Sequence, residues 1–503
     1  MQACHRVLIF MTGVSCLLSA LAAYGQNAVL KELQGFADGQ RAATAALQQL
    51  IDESEGLVAI PAGTFLIDAP LKIDLPRQGY RSLCGANGAT RLIMNCAGPA
   101  VQVLGDHQGT AHPDSVKEHT WEKERFPIIS DLEILGAHEQ ADGIELIRTM
   151  KCIVRNVLIR RCRYGIHLIE RNRNVIIADS HIYDCLDTGV FLEECNLHQI
   201  NILGNHISYS KRAGIRQFNG DVHNVQITGN DIEYNAGSEE SSGEIVLESP
   251  DSLISEYSIT GNTLQARPEN AGANILVLGA LENSPYAART IAISGNIIGD
   301  RDKNIVLCRV CRATISGNTL YGGKTLNLHF AQCRNIVLNG NNIGTRPSMH
   351  AATHDDGVLL EDCIDCVITS NILSEHRFGT QERGGALTLL NPQRCRVADC
   401  QIIHPRIRGV HVVGGMGCVI SDTSIMAPST EDFRAAVEVS GGGRAHLVQN
   451  NWICSVLAAP VVIEGTSGEA RNNTVVSREE MESAPAPAIS SQNELPASSP
   501  ERK

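Results

Sequence analysis

The sequence predicts an all-β solenoid, a parallel β-helix capped at its N-terminal end by a short helix. Three observations predict it. A bend flanked by short alternating apolar stretches recurs, as in VQITGNDIEY (225–234), YSITGNTLQ (257–265), IAISGNIIG (291–299), ATISGNTLY (313–321) and IVLNGNNIG (336–344), and its asparagines, Asn205, Asn230, Asn262, Asn296, Asn318, Asn341 and Asn371, are spaced 22 to 34 residues apart. That is the period of one solenoid turn. A second strand of the form turn, apolar, variable, apolar accompanies the bends, as in GIELIR from 143, GIHLIE from 165, GVFLEE from 189, GIRQFN from 214, GVLLED from 357 and GVHVVG from 409. Finally, a chain of 503 residues that is 43% hydrophobic and 4% aromatic, with 45 Gly, is neither collagen-like, disordered nor coiled coil.

Taken in order, residues 1–25 carry Arg6, an apolar run from Val7 to Ala23 and small residues at Ala23 and Gly25, the pattern of a secretory signal peptide. The run is broken by Thr12, Gly13, Ser15 and Ser19 and is short for a membrane span, so export to the periplasm or the medium is expected, with no membrane span in the mature chain. Residues 26–477 form the β-helix domain. The bend slot runs upstream through Ser180, Val157 and Leu132 and downstream through Cys400, Thr423, Asn451 and Asn473. Asparagine suits a bend because it tolerates left-handed backbone and can hydrogen-bond its own kind one coil above. Residues 478–503, rich in Pro, Ser, Ala and Glu, read as a disordered tail.

Fifty-five acidic against 42 basic residues give a net charge of −13 with no basic stripe, which leaves phosphate-backbone binding without a driving force. Nucleic acid is excluded as a partner, and a monomer is expected. Of the 17 cysteines, two fall in the leader and an odd number remains. Cys308-x-x-Cys311 and Cys363-x-x-Cys366 satisfy a zinc-ribbon pattern. However, Cys152, Cys366, Cys395 and Cys418 all precede the bend slot by the same five positions, while Cys195 with Cys363 and Cys162 with Cys185 make two further columns. Columns of small buried thiols indicate packing rather than metal.

At this point the chain resembles the right-handed parallel β-helix proteins of the pectin-lyase-like superfamily, over residues 35–475. The opening segment DGQRAATAALQQLIDESEGLVAIPAGTFLIDAPLKI (38–73) matches the superfamily's usual start, with Pro61, Gly63, Thr64 and Phe65 in its Pro-x-Gly-Thr-aromatic turn. The resemblance implies an opening helix, about 42–53, which would cover an otherwise open sheet end. It also implies a polysaccharide lying across the outward side chains of the GIxLxx strands. Asp355-Asp356, Arg383-Gly384-Gly385 and Arg406-Ile407-Arg408 follow the order of the polygalacturonase-type Asp-Asp, Gly-His-Gly and Arg-Ile-Lys motifs, with the histidine of the second missing.

Insertions at 105–127, 234–243, 264–273, 279–290, 344–357 and 373–385 depart from plain coil. The richest neighbourhood in titratable groups is 344–411, where His350, His354, Asp355 and Asp356 precede Glu375, His376, Arg377, Glu382 and Arg383 and then His404, Arg406, Arg408 and His411. We therefore expect catalytic groups among Asp355, Asp356, His376, Arg377 and Arg383, and substrate contacts from His329, Glu361, Arg406, Arg408 and His411. Hydrolysis needs one protonated and one ionised carboxyl. Elimination from a uronate needs a base and a positive group, or Ca²⁺, on the substrate carboxylate. Asp355 or Asp356 would serve as acid, base or Ca²⁺ ligand; no other cofactor is expected. A second neighbourhood comprises Glu145, His167, Glu193 and Arg216, read as outward on four consecutive coils, beside the insertion carrying His107, His112, His119 and Trp121. The functional expectation is an exported enzyme acting on an acidic polysaccharide, lyase ahead of hydrolase or epimerase. The alternative is a non-catalytic glycan-binding or surface scaffold, favoured by the low aromatic content.

Overall fold

The computed structural model describes residues 28–109, 112–279, 287–345, 354–427, 432–477 and 480–481. The leader, nearly all of the C-terminal tail and His350 lie outside the described residues. Within them the chain forms 44 strands, every pair parallel, each strand hydrogen-bonded to its equivalents on the coils before and after. This is the predicted β-helix, with coils stacked about 4.8 Å apart. One continuous apolar core fills the coil interior along the whole length, from Leu47 and Val58 to Val448 and Ile453.

The capping helix is Thr44–Glu53, burying Ala46, Leu47, Leu50 and Ile51 on the first coil. Its polar side chains finish the sheet edge. Gln48 donates from Nε2 to Lys72 O at 3.0 Å and accepts from Lys72 N at 2.8 Å, while Thr44 Oγ1 accepts from Asp68 N at 2.9 Å. An amide and a hydroxyl thus take the place of the missing neighbouring strand.

The bend slot is a ladder. Asn262 N and Nδ2 both donate to Asn296 Oδ1, at 2.9 and 3.0 Å, and Nδ2 also donates to Ile227 O at 2.9 Å. The pattern repeats from Asn205 to Asn371 and again at Asn451 and Asn473. Ser180 and Thr423 join through their N–H groups. The left-handed residue is not the asparagine, as the sequence led us to expect, but the residue before it: Gly204, Gly229, Gly261, Gly295, Gly317 and Gly340 have φ of 63–65°. The asparagine is selected for its side-chain bonds alone. Replacing Asn318 by Ala removes the acceptor of Asn296 N, so Asn318→Ala should destabilise the fold by about 2 kcal/mol, read as a lower urea midpoint. An unchanged midpoint would show that the ladder contributes nothing.

The glycine opening each GIxLxx strand is set by the coil spacing, since a Cβ on Gly189 would lie 2.6 Å from Gly214 O. The thiol columns are present in the core. Cys366, Cys395 and Cys418 sit on consecutive coils, and burial pushes the thiols of Cys152 and Cys185 up to about 12. Cys308 shares an outward file with Ala331 and Glu361, so it lies two coils, roughly 10 Å, before Cys363 and Cys366. That separation is too large for a shared tetrahedral zinc.

Candidate functional site

Strand register decides which side chains of the predicted neighbourhoods meet. In the 344–411 neighbourhood it disperses them. Asp355 is exposed, with the guanidiniums of Arg406 and Arg377 its nearest positive charges. Asp356 is 1% exposed, its carbonyl accepting from Asn327 Nδ2 at 3.0 Å. One carboxylate faces water and its neighbour is enclosed, so the pair does not fit a shared Ca²⁺. His376 is also 1% exposed with no hydrogen-bond partner on either ring nitrogen, and burial lowers it to about 4, which keeps the imidazole neutral. Arg408 is fully buried, donating to Glu438 Oε2 at 2.6 Å, to Thr380 O at 2.9 Å and to Gly384 O at 3.0 Å. His411 accepts from Gly384 N at 3.0 Å and contacts Ser440 Oγ at 3.0 Å. Asp356, His376, Arg408 and His411 therefore hold loop 373–385 and the adjoining turn against the coil, and none of them reaches solvent to meet a polymer. Arg377 and Arg383 stay at the surface, Arg406 pairs with Asp432 at 3.2 Å, and His329 Nε2 lies 3.5 Å from Glu361 Oε2.

Asp356 gives a pH test. Burial, aided by Asp355, pushes its carboxyl up to about 7. A carboxyl raised on folding adds stability in full below its unfolded value, near 4, and that stability is lost as pH rises through the folded value. Asp356→Asn should therefore melt higher than the parent at pH 8 and alike at pH 4; equal melting at both would refute the enclosure.

The second neighbourhood assembles. Gln102, Glu145, His167, Phe191 and Arg216 stand side by side on successive coils of the outward file. Glu193 is not in that file, as the sequence implied, but two residues further along its strand, between Ile169 and Phe218. The two files still meet. Gln102 Nε2 donates to Glu145 Oε1 at 2.7 Å, His167 Nδ1 lies 3.5 Å from Glu145 Oε2, and His167 Nε2 donates to Glu193 Oε2 at 2.9 Å. The imidazole stacks almost parallel on Phe191, 5.4 Å between centroids, and packs 4.8 Å from the Tyr164 ring. Its side chain is 7% exposed while that of Glu193 is 40% exposed. A chain of polar contacts thus spans four coils and ends at the surface on one carboxylate.

Electrostatics separate the two ends. Against its burial, the contacts with His167 and Gln102 hold the Glu145 carboxyl below the usual carboxylate range. Burial, with Asp187 nearby, raises the Tyr164 phenol, which therefore stays a hydrogen-bond donor. Arg163 binds Asp142 through Nε and Nη2 at 2.9 and 2.7 Å and lies 4.4 Å over the Tyr164 ring. Arg216 binds Glu248 at 2.7 Å and lies 4.9 Å over Phe191. Sequence reading under-ranked Tyr164, Phe191 and Arg163, because aromatic and basic residues flanking a GIxLxx strand look like ordinary solenoid surface.

No helix among the described residues is long and apolar enough to cross a membrane. No curated protein matches the chain. Among solved structures, the A-module of mannuronan C-5 epimerase AlgE4 from Azotobacter vinelandii aligns over 88% of this chain and 99% of its own, at 15% identity and a TM-score of 0.37. The DFA-IIIase of Arthrobacter chlorophenolicus A6 aligns over 86% and 96%, at 12% identity and 0.34. The catalytic unit of the GH87 α-1,3-glucanase from Streptomyces thermodiastaticus strain HF3-3 aligns over 87% and 68%, at 11% identity and 0.33. The family profile described as right handed beta helix region matches residues 123–276 and 255–425. Those two stretches overlap and together span more than half of the 503 residues, on the coils that carry His167, Glu193 and Arg216. The protein belongs to the right-handed β-helix family.

Proposed function

We propose that the protein is an exported enzyme that acts on a uronate-containing polysaccharide by abstracting a proton next to the sugar carboxylate, leading to elimination or epimerisation. The observation that carries this reading is the Glu145–His167–Glu193 chain, which ends at one exposed carboxylate flanked by aromatic rings and guanidiniums. Glu193 is the base. Its orientation is set by His167, which in turn lies against Glu145. Tyr164, protonated and partly exposed, is placed to return a proton to the sugar or its leaving oxygen. A guanidinium has five N–H donors and Arg163 uses two nitrogens on Asp142, so its remaining N–H groups are available to a substrate carboxylate. Hydrolysis is supported less well, since it needs a protonated carboxyl and Glu145 is held ionised. The outward file also suits an extended chain lying across several coils at once.

The test is a screen of the purified protein against uronate polysaccharides, following unsaturated-product absorbance, reducing ends and the exchange of solvent deuterium into the sugar. We expect product absorbance or exchange. Reducing ends without unsaturation would make the protein a hydrolase, and binding with no turnover on any polymer would make it a glycan-binding scaffold.

A further inference from the structure

We propose that Asp106, His119 and Glu124 form a site for a single divalent transition-metal cation, such as Mn²⁺ or Co²⁺, that clips the returning turn of insertion 105–127 to the insertion's base, just past the strand that ends at Leu104. The insertion leaves the coil directly after the strand Gly98–Leu104 and returns through a single turn, Thr120–Glu124. One carboxylate oxygen of Asp106, one of Glu124 and an imidazole nitrogen of His119 all lie within 4.8 Å of one another. His119 Nε2 is 2.6 Å from Asp106 Oδ2 and 4.0 Å from Glu124 Oε1, and Glu124 Oε1 accepts from Asp106 N at 3.1 Å.

The independent observation is the state of Glu124. It is 0% exposed, yet its Oε2 has no hydrogen-bond partner, and neither has the enclosed Oδ1 of Asp106. Thr120 Oγ1, in the same turn, is also enclosed and unpartnered. A buried acceptor without a donor costs on the order of 1–3 kcal/mol, and more when charged, so two carboxyl groups facing each other in one enclosed corner need either a shared proton or a positive centre between them. Lys117 is exposed, and Arg148 is engaged with Glu170. A cation bound by one imidazole and two carboxylates supplies that centre. The imidazole selects for first-row transition metals over Ca²⁺ and Mg²⁺, which prefer all-oxygen shells.

The site differs from the Glu145–His167–Glu193 chain in its residues and in its consequence, since it anchors a loop rather than meeting substrate. The test uses the full chain after dialysis against a chelator, titrated with Mn²⁺ and Co²⁺ by calorimetry, with the Co²⁺ visible spectrum as a second readout. We expect one equivalent to bind, a Co²⁺ spectrum without thiolate charge-transfer bands, and a raised melting temperature. His119→Ala, at a half-buried position, should weaken binding at least about tenfold, and Glu124→Gln should do the same. His206→Ala, in the separate surface group His206, Asp231 and Glu233, should leave binding unchanged. The proposal is overturned if no cation binds, if Ca²⁺ binds as tightly as Mn²⁺, if the spectrum shows thiolate ligands, or if His119→Ala binds like the parent.

Discussion

Glu193→Gln should lower turnover at least about 100-fold, the scale of a lost general base, with the melting temperature nearly unchanged. Glutamine keeps the size and the hydrogen-bond acceptor that meets His167 Nε2, now 2.9 Å from Glu193 Oε2, but it cannot take a proton. The position is on an outward file and its side chain is 40% exposed, so no core packing is lost. His167→Ala acts through Glu193 rather than on the sugar. It should lower turnover less and shift the pH profile, because the imidazole that orients Glu193 is gone, while Glu145 is left with Gln102. The measurement is the initial rate against pH on whichever uronate polymer the screen selects, alongside thermal melting. If Glu193→Gln kept full activity, the chemistry would lie elsewhere on the solenoid. The exposed Asp355, Arg377 and Arg406 cluster would then be the next place to probe, with Asp355→Asn as the first variant.

Features that repeat with the coil were legible in the sequence, because each copy faces the same constraint. The bend asparagines could be aligned by eye, since each bonds the next and the slot tolerates little else. Cys366, Cys395 and Cys418 could be aligned for the same reason. The capping helix was legible only through the resemblance of the opening segment to the superfamily's usual start. What the repeat does not dictate was lost. Glu193 was misplaced by two positions because the position of the GVFLEE strand opposite His167 holds the apolar Phe191, and charge points to the next outward position instead. The neighbourhood at 344–411 was over-ranked because charged residues in a turn-rich loop were assumed to face water. Arg408 instead turns inward, where Glu438 and three carbonyls of loop 373–385 satisfy its guanidinium, and Asp356 is drawn in by the close of a second polar ladder, Asn274, Asn304 and Asn327. That ladder stands on the glycine slot of the GIxLxx strands. It was hidden because the strands NILVL, NIVLC and NLHF read as ordinary alternation.

The largest stability effect should come from an ion pair that no sequence pattern marks. Arg301 and Glu244 are 57 residues apart, both side chains are fully buried, and Nη1 lies 3.0 Å from Oε1. The guanidinium also donates to Ala271 O at 3.0 Å, Asn235 O at 3.0 Å and Ser242 Oγ at 3.1 Å, and Glu244 accepts from Asn235 Nδ2 at 2.6 Å. A single side chain thus fastens insertions 234–243 and 264–273 to the coil that follows them. Arg301→Met keeps most of the volume but leaves the buried Glu244 carboxyl with only its Asn235 bonds, so it should cost about 3–5 kcal/mol, the usual penalty for breaking a buried pair. The loss should be local first, because in a solenoid each coil rests only on its neighbours. Hydrogen exchange should rise over 234–275 before the flanking coils respond, and the urea midpoint should fall. The sign of the pH dependence follows. Burial already pushes Glu244 up to about 8 against the pull of Arg301, and without the guanidinium it rises further. A carboxyl raised on folding adds stability that is lost as pH rises through its folded value, so the variant should be closest to the parent in acid and furthest from it in alkali. Arg301→Met combined with Glu244→Gln removes both charges and should recover most of the loss. A double variant no more stable than Arg301→Met alone would show that the carbonyl bonds of Arg301, rather than the ion pair, hold the insertions down.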